Sequence, residues 1–199
     1  MIQSGGAHGS IRPPQPTSHD PMNDVPLPTY CYDPTVDPEL DWELRVLFVH
    51  CWPGPMFRTK RYNAELPQHR WILRAADHSL AAHLALHDKL VRIDGNPIRV
   101  GGIAEVCVHP AHRGKRLVSH LLGAAHAWMQ SESVPFSLLF GRAEVYASQG
   151  YRQVPNPCRR FLTDRNDWET GAAAGLLVRP IASTPWPESG LLDLRCPPF

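Results

Sequence analysis

Glu105-Val106-Cys107-Val108-His109-Pro110-Ala111-His112-Arg113-Gly114-Lys115-Arg116-Leu117-Val118-Ser119-His120-Leu121-Leu122 is the stretch whose reading decides the fold. An apolar strand runs into Pro110 and a basic turn containing Gly114 follows. Leu117, Leu121, Ala125 and Trp128 then recur at helical spacing. A strand-turn-helix passage of this kind exposes successive backbone N–H groups at a helix N-terminus. Those donors, with the helix dipole behind them, favour a bound anion such as a pyrophosphate.

Working outward, the helix is expected over 113–131 and is followed by Phe136–Phe140, an apolar run of buried-strand type. Glu144–Ser148 reads as a short helix stopped by Gly150, and Tyr151–Val154 as the start of a strand. Leu176–Ile181 and Leu191–Arg195 are late strand candidates. Upstream, Leu80–Ile93 and Pro97–Val108 read as two long strands joined at the hairpin signal Asp94-Gly95. Trp71–Ala75 is a short strand, and Glu39–Trp52 a helix closed by Pro53-Gly54-Pro55. The mixed order of helices and mostly hairpin-connected strands argues an α+β (mixed α/β) domain.

Residues 1–37 are rich in Pro, Gly, Ser and His without periodicity, and eight of the 21 prolines precede Asp41. This segment reads as a disordered or loosely docked arm, with a single domain over 38–199. A chain of 199 residues with 43% hydrophobic and 20% charged residues suits a soluble globular domain with a real core. The net charge of +1 argues against a nucleic-acid footprint. No run of apolar residues is long enough for a membrane span, and the N-terminus lacks an apolar signal core. Cys31, Cys51, Cys107, Cys158 and Cys196 are scattered with no CxxC pair, which argues against zinc or a disulfide framework and for a reducing cytoplasm. His109 and His112 have an HxxH spacing but sit in an irregular turn with no carboxylate ligand nearby, so no metal is expected there.

Val106-Cys107-Val108-His109-Pro110 followed by Arg113-Gly114-Lys115 resembles the acyl-CoA-binding motif of the GNAT superfamily of N-acetyltransferases. Val145-Tyr146-Ala147-Ser148-Gln149-Gly150-Tyr151 is similar to the family's tyrosine-bearing short helix and the strand after it. Within the superfamily, Arg113–Ser119 with Leu121-Leu122, Tyr146-Ala147-Ser148 and Asp193-Leu194-Arg195 look like the aminoglycoside 2'-N-acetyltransferases. Most members carry Gly where Arg116 stands and Gly or Ala where Val118 stands; this chain departs at both, as that branch does. The resemblance implies a mostly antiparallel sheet that splays between two central strands and is flanked by helices. It also implies acetyl-CoA as co-substrate and direct transfer of its acetyl group to the primary amine of a small molecule.

It carries roles onto particular residues. Backbone N–H groups of Gly114, Lys115, Arg116, Leu117 and Val118 would hold the pyrophosphate, with added charge from Arg113, Lys115 and Arg116. Val106 and Val108 would meet the pantetheine arm through main-chain atoms. Tyr146 would be the general acid that protonates the leaving thiolate. The general base is less clear. The aminoglycoside branch keeps a glutamate at the position of Ala104, whereas here the carboxylate is Glu105. In a regular strand that shift points the side chain to the opposite face, and only a local bulge restores it. The alternative for Glu105 is a solvated or salt-bridged strand carboxylate; His83, His87 and the terminal carboxylate of Phe199 are further candidates for the base.

That branch holds its polycationic sugar with acidic residues after the first helix, where this chain has Phe57-Arg58-Thr59-Lys60-Arg61-Tyr62-Asn63. Cations there would repel an aminoglycoside unless they point away. A neutral, monocationic or carboxylate-bearing amine fits better, with antibiotic acetylation or a non-catalytic acyl-CoA-binding module as alternatives. A homodimer is compatible with the sequence.

Overall fold

Ten strands in one mixed sheet, with helices on both faces, form the fold in the computed structural model, which describes residues 27–199. In chain order the elements are β1 (Thr29–Tyr32), α1 (Pro38–Cys51), β2 (His69–Arg74), β3 (Leu80–Ile93), β4 (Asn96–Val108), α2 (Leu117–Ser131), β5 (Phe136–Phe140), α3 (Ala143–Tyr146), β6 (Arg152–Gln153), β7 (Pro157–Leu162), β8 (Asp167–Ala172), β9 (Leu176–Pro180) and β10 (Leu192–Asp193). The expected α+β architecture is the one that forms. The path across the sheet is β6-β9-β5-β4-β3-β10-β7-β8, and β2 pairs with β3 and carries β1 on its far side.

The long hairpin β3–β4 is the spine. Asp94 and Gly95 turn it with φ of 47° and 85°, the left-handed pair that a two-residue hairpin turn requires. β4 then pairs in parallel with β5, from Val100 opposite Phe136 to Ile103 opposite Leu139. Beyond Ile103 the two strands part: β4 continues to Val108 while β5 ends at Phe140. This is the expected splay.

Helix α1 starts where Asp37 caps it, accepting a 2.8 Å hydrogen bond from the Leu40 N–H, with Pro38 in the first turn. It buries Leu44, Leu47 and Phe48 against Ile72, Leu80 and Cys107 on one face of the sheet. Helix α2 buries Leu117, Leu121, Leu122, Ala125 and Met129 against Trp71, Leu84, Leu86 and Ile103 on the other. No helix among the described residues is long and apolar enough to cross a membrane.

Two expectations need correction. Residues 29–37 are not a loose arm. β1 pairs antiparallel with β2, Thr29 opposite Ile72 through Tyr32 opposite His69, and Asp33 is fully buried. The rest of the expected arm, 1–26, lies outside the described residues. The hairpin β7–β8 was not expected: Asp167–Ala172 is almost wholly exposed, so it lacks the apolar alternation that marks a half-buried strand.

Candidate active site

Strand β4 changes its register where the site begins. Ala85 of β3 faces Ala104, and His83 faces Cys107, so two residues of β4, Glu105 and Val106, oppose the single Leu84. Glu105 takes the left-handed conformation, with φ of 48°. This is a β-bulge, and it resets which side chains face which helix. Ile103, Val106 and Val108 pack on the α2 side, while Cys107 packs on the α1 side. Glu105 therefore shares the α1 face with Cys107, the face that unbroken alternation from Ile103 would have reserved for Ala104.

The Glu105 side chain is 6% exposed. Its Oε1 accepts from the Asn63 N–H at 2.7 Å. The Arg70 Nη1 lies 3.5 Å from Oε2, close enough for charge attraction but outside hydrogen-bond geometry, so this buried oxygen has no donor. Burial pushes the carboxyl up to about 7, against the opposing pull of the Arg70 guanidinium and the Asn63 N–H. A carboxylate with a pKa near neutrality and a free oxygen has the properties of a general base.

Arg70 is fully buried near the start of β2, and no periodic pattern in the sequence singles it out. Its Nε donates to Asp33 Oδ1 at 2.5 Å and its Nη2 to the Arg61 carbonyl at 3.0 Å. Its Nη1 reaches His83 Nε2 at 3.0 Å, and His83 Nδ1 lies 2.9 Å from the Glu105 carbonyl oxygen. These partners require the His83 proton on Nδ1, so that Nε2 accepts from the arginine. Burial, with the Arg70 charge adding to it, drives the imidazole well below its ordinary pKa. His83 is thus a neutral strut that ties the bulge to Arg70, rather than a base. His87 is also held neutral, down to about 3, by burial and by the Lys89 and Arg70 charges.

Glu105 lines a cavity of about 360 Å³ whose other walls include Trp52, Met56, Phe57 and Phe199. The cations between Phe57 and Asn63 do not gather there. Arg61 turns back onto Asp33 at 2.8 Å and Asp41 at 3.0 Å, and Lys60 donates to the Asn63 carbonyl and lies over the Tyr62 ring. The expected repulsion of cations by this loop therefore does not carry over to the folded chain.

Tyr146 ends α3, just past the open end of β5, and does not line that cavity. Its ring lies where a Cβ on Gly141 would come to 2.7 Å, so the strand end must be glycine for the phenol to pack there. Its edge meets Tyr151 at a centroid distance of 5.9 Å. Burial raises the phenol above its ordinary value, which keeps its proton in place. Glu105 thus lies on one of the two strands that part beyond Ile103 and Leu139, and Tyr146 on the short helix that follows the other.

The basic turn closes the same end of the sheet. Pro110–His112 forms a short helical turn capped by His109, Gly114 has φ of 80°, and Arg116 has φ of 56° directly before α2. No side chain caps the helix at Arg116, which leaves its first N–H groups free to donate outward. The left-handed Gly114 and Arg116 bend the backbone so that N–H groups of the turn and of the start of α2 can converge on an anion, a nest at the helix N-terminus. Arg116 occupies a conformation that disfavours every residue but glycine, by roughly 1–2 kcal/mol, which accounts for the glycine common at this position in the resembled family. Lys115 and Arg116 are exposed beside the nest, while Leu117 is buried in the core beneath it. Val106, Val108 and Val118 pack at the edge of that core.

The comparisons agree with this geometry. Residues 29–154 match the acetyltransferase (GNAT) domain. Among curated proteins none matches. The structure is similar to the GNAT-family N-acetyltransferase YhbS from Escherichia coli, solved in complex with CoA. The identity is 12% and the TM-score 0.59, covering 84% of this chain and 89% of that one. It is also similar to a GNAT-family acetyltransferase from Brucella melitensis in complex with acetyl-CoA. Here the identity is 15% and the TM-score 0.54, over 83% of this chain and 94% of that one. At such identities the likeness speaks for the fold; the match of the domain family, across strands β1 to β6, speaks for descent. The chain belongs to the GNAT acetyltransferase domain family.

Proposed function

We propose that the protein transfers an acetyl group from acetyl-CoA to the primary amine of a small molecule, with Glu105 as general base and Tyr146 as general acid. The observation that carries this reading is the bulge at Glu105, which turns a buried carboxylate with a pKa near neutrality into the cavity beside the parted strands. An ammonium group entering there gives a proton to Glu105. The free amine attacks the thioester carbonyl, the C–N bond forms, the C–S bond breaks, and the nitrogen sheds its second proton to solvent, as Glu105 then sheds the one it took. The departing thiolate takes the Tyr146 proton, which solvent restores. The anion nest from Gly114 to Val118 suits the pyrophosphate of CoA, with Arg113, Lys115 and Arg116 adding charge. The unpaired edge of β4 at Val106 and Val108 suits an extended pantetheine arm.

The aminoglycoside branch serves here as the pattern for the catalytic residues, because the bulge puts Glu105 on the face where that branch has its glutamate. It does not supply the acceptor. A non-catalytic acyl-CoA-binding module drew its support from the missing base, and the bulge removes that support.

Acetyl-CoA at 100 times its Kd is expected to stabilise the protein by about 2.7 kcal/mol, seen as a rise in Tm. No shift at millimolar acetyl-CoA would refute the binding site. Tyr146→Phe is expected to lower kcat by about 10²-fold or more while leaving acetyl-CoA affinity within about twofold. Single-turnover kinetics and a thermal titration measure the two separately, and an unchanged kcat would remove Tyr146 from the mechanism.

A further inference from the structure

The cavity beside Glu105 has a composition that selects among amines. Its walls are Trp52, Pro53, Pro55, Met56, Phe57 and Phe199, and among the described residues its one ionisable side chain is Glu105. Trp52 and Phe57 contact each other at a ring-centroid distance of 5.3 Å, and Phe48 backs Phe57 edge-on at 5.0 Å, so this wall is a fixed aromatic surface. A further wall is Phe199, its ring seated so closely on the backbone of Gly102 that a Cβ there would come to 2.4 Å from it. Met56 is half exposed at the mouth, an adaptable thioether placed where a ligand would enter. The Asn63 N–H is engaged by Glu105 Oε1, and Oε2 is the buried acceptor left without a donor.

We infer that this cavity binds a monocationic primary amine with an aromatic or bulky apolar body, the ammonium on Glu105 and the body between Trp52–Phe57 and Phe199. This deepens the acetyltransferase reading and rests on it. One unpartnered carboxylate oxygen accommodates one ammonium group. A volume of about 360 Å³ holds a small aryl-alkyl amine. A second or third ammonium, as in a polyamine or an aminoglycoside, would be desolvated against aromatic and proline walls whose described residues offer no second carboxylate side chain. A carboxylate next to the amine, as in an amino acid, would sit against Glu105 and be repelled. The aromatic faces add attraction for the cation as it enters.

The full chain with acetyl-CoA is assayed for CoA release with 2-phenylethylamine, spermidine, kanamycin and phenylalanine. We expect kcat/KM for 2-phenylethylamine to exceed each of the others by about 100-fold or more, since one uncompensated buried charge costs at least that factor. Faster turnover of spermidine, kanamycin or phenylalanine would overturn the inference and leave the acetyltransferase reading standing. An acetyl-CoA thermal shift with no release from any amine would overturn both the inference and catalysis, leaving only binding. Met56→Lys, at an exposed position, is expected to raise KM for 2-phenylethylamine about tenfold or more by repelling its ammonium, with KM for acetyl-CoA and Tm unchanged. Trp52→Ala provides the second test at the same wall. An unaltered KM for 2-phenylethylamine in both variants would show that the amine binds elsewhere.

Discussion

Glu105→Gln is expected to lower kcat/KM by about 10²–10⁴, and at the same time to make the protein more stable at pH 8. Both effects come from one carboxyl group. In the wild type, kcat/KM should fall tenfold per pH unit below about 7 if Glu105 is the base proposed above, since a base must be ionised to take the proton from the amine. The glutamine variant should lose that acidic limb. For stability the sign is the reverse of the usual carboxylate. The folded pKa, about 7, lies above the ordinary 4.5, so the native state binds more protons than the unfolded state between those values. The favourable contribution is complete below pH 4.5 and is lost as pH rises through 7. The neutral amide avoids that loss. It should gain about 3 kcal/mol over the wild type at pH 8, or roughly 6–12 °C in Tm, with the gain gone at pH 4. Thermal melts at the two pH values, run beside the pH–rate profile, check both halves. A variant that is inactive yet no more stable at pH 8 would mean that Glu105 carries no raised pKa.

The second large effect belongs to Arg70. Replacing it with methionine keeps the bulk but removes the cation that holds the Asp33 carboxylate, both side chains being fully buried. Breaking a buried pair from one side costs about 3–5 kcal/mol. Arg61 still reaches Asp33, so the lower end applies and Tm should fall by roughly 6–12 °C. A purely structural role would end there. Arg70 also opposes the upward push of burial on Glu105, so its loss should carry the acidic limb of the pH–rate profile above 7. Arg70→Met that is destabilised but keeps its limb near 7 would make the arginine a structural residue only. The single substitution thus separates the anchoring of β1 from the tuning of the base.

Much of this site was legible because regular structure repeats its signals. The basic turn announced itself through Gly114 and the helical spacing of Leu117 and Leu121, and the spine hairpin through Asp94-Gly95. The features that escaped depend on partners far apart in the chain. β1 hides in a proline-rich segment, and only its pairing with β2 and the Asp33–Arg70 contact fix it in place. Asp33 and Arg70 stand 37 positions apart, so no local pattern joins them. His83 looked like a candidate base until its neighbours were known; the charge of Arg70 and the Glu105 carbonyl leave it neutral. The bulge itself has no sequence signature, because a glutamate at positive φ is disfavoured locally and is held here by His83 and the Asn63 N–H. The cavity walls come from the loop after α1 and from the far end of the chain, which share no period.

A strand with a bulge of this kind weakens the link between a residue's place in an alignment and its place in the molecule. Two relatives can differ by one position in where the acid is written and still present it at the same point, because the extra residue is absorbed in the curl of the backbone. Column-by-column transfer of roles would then name Ala104 in this chain and score the base as lost. Enzymes of this architecture that have been set aside as inactive for want of a glutamate in the expected column deserve a second reading, one residue to either side.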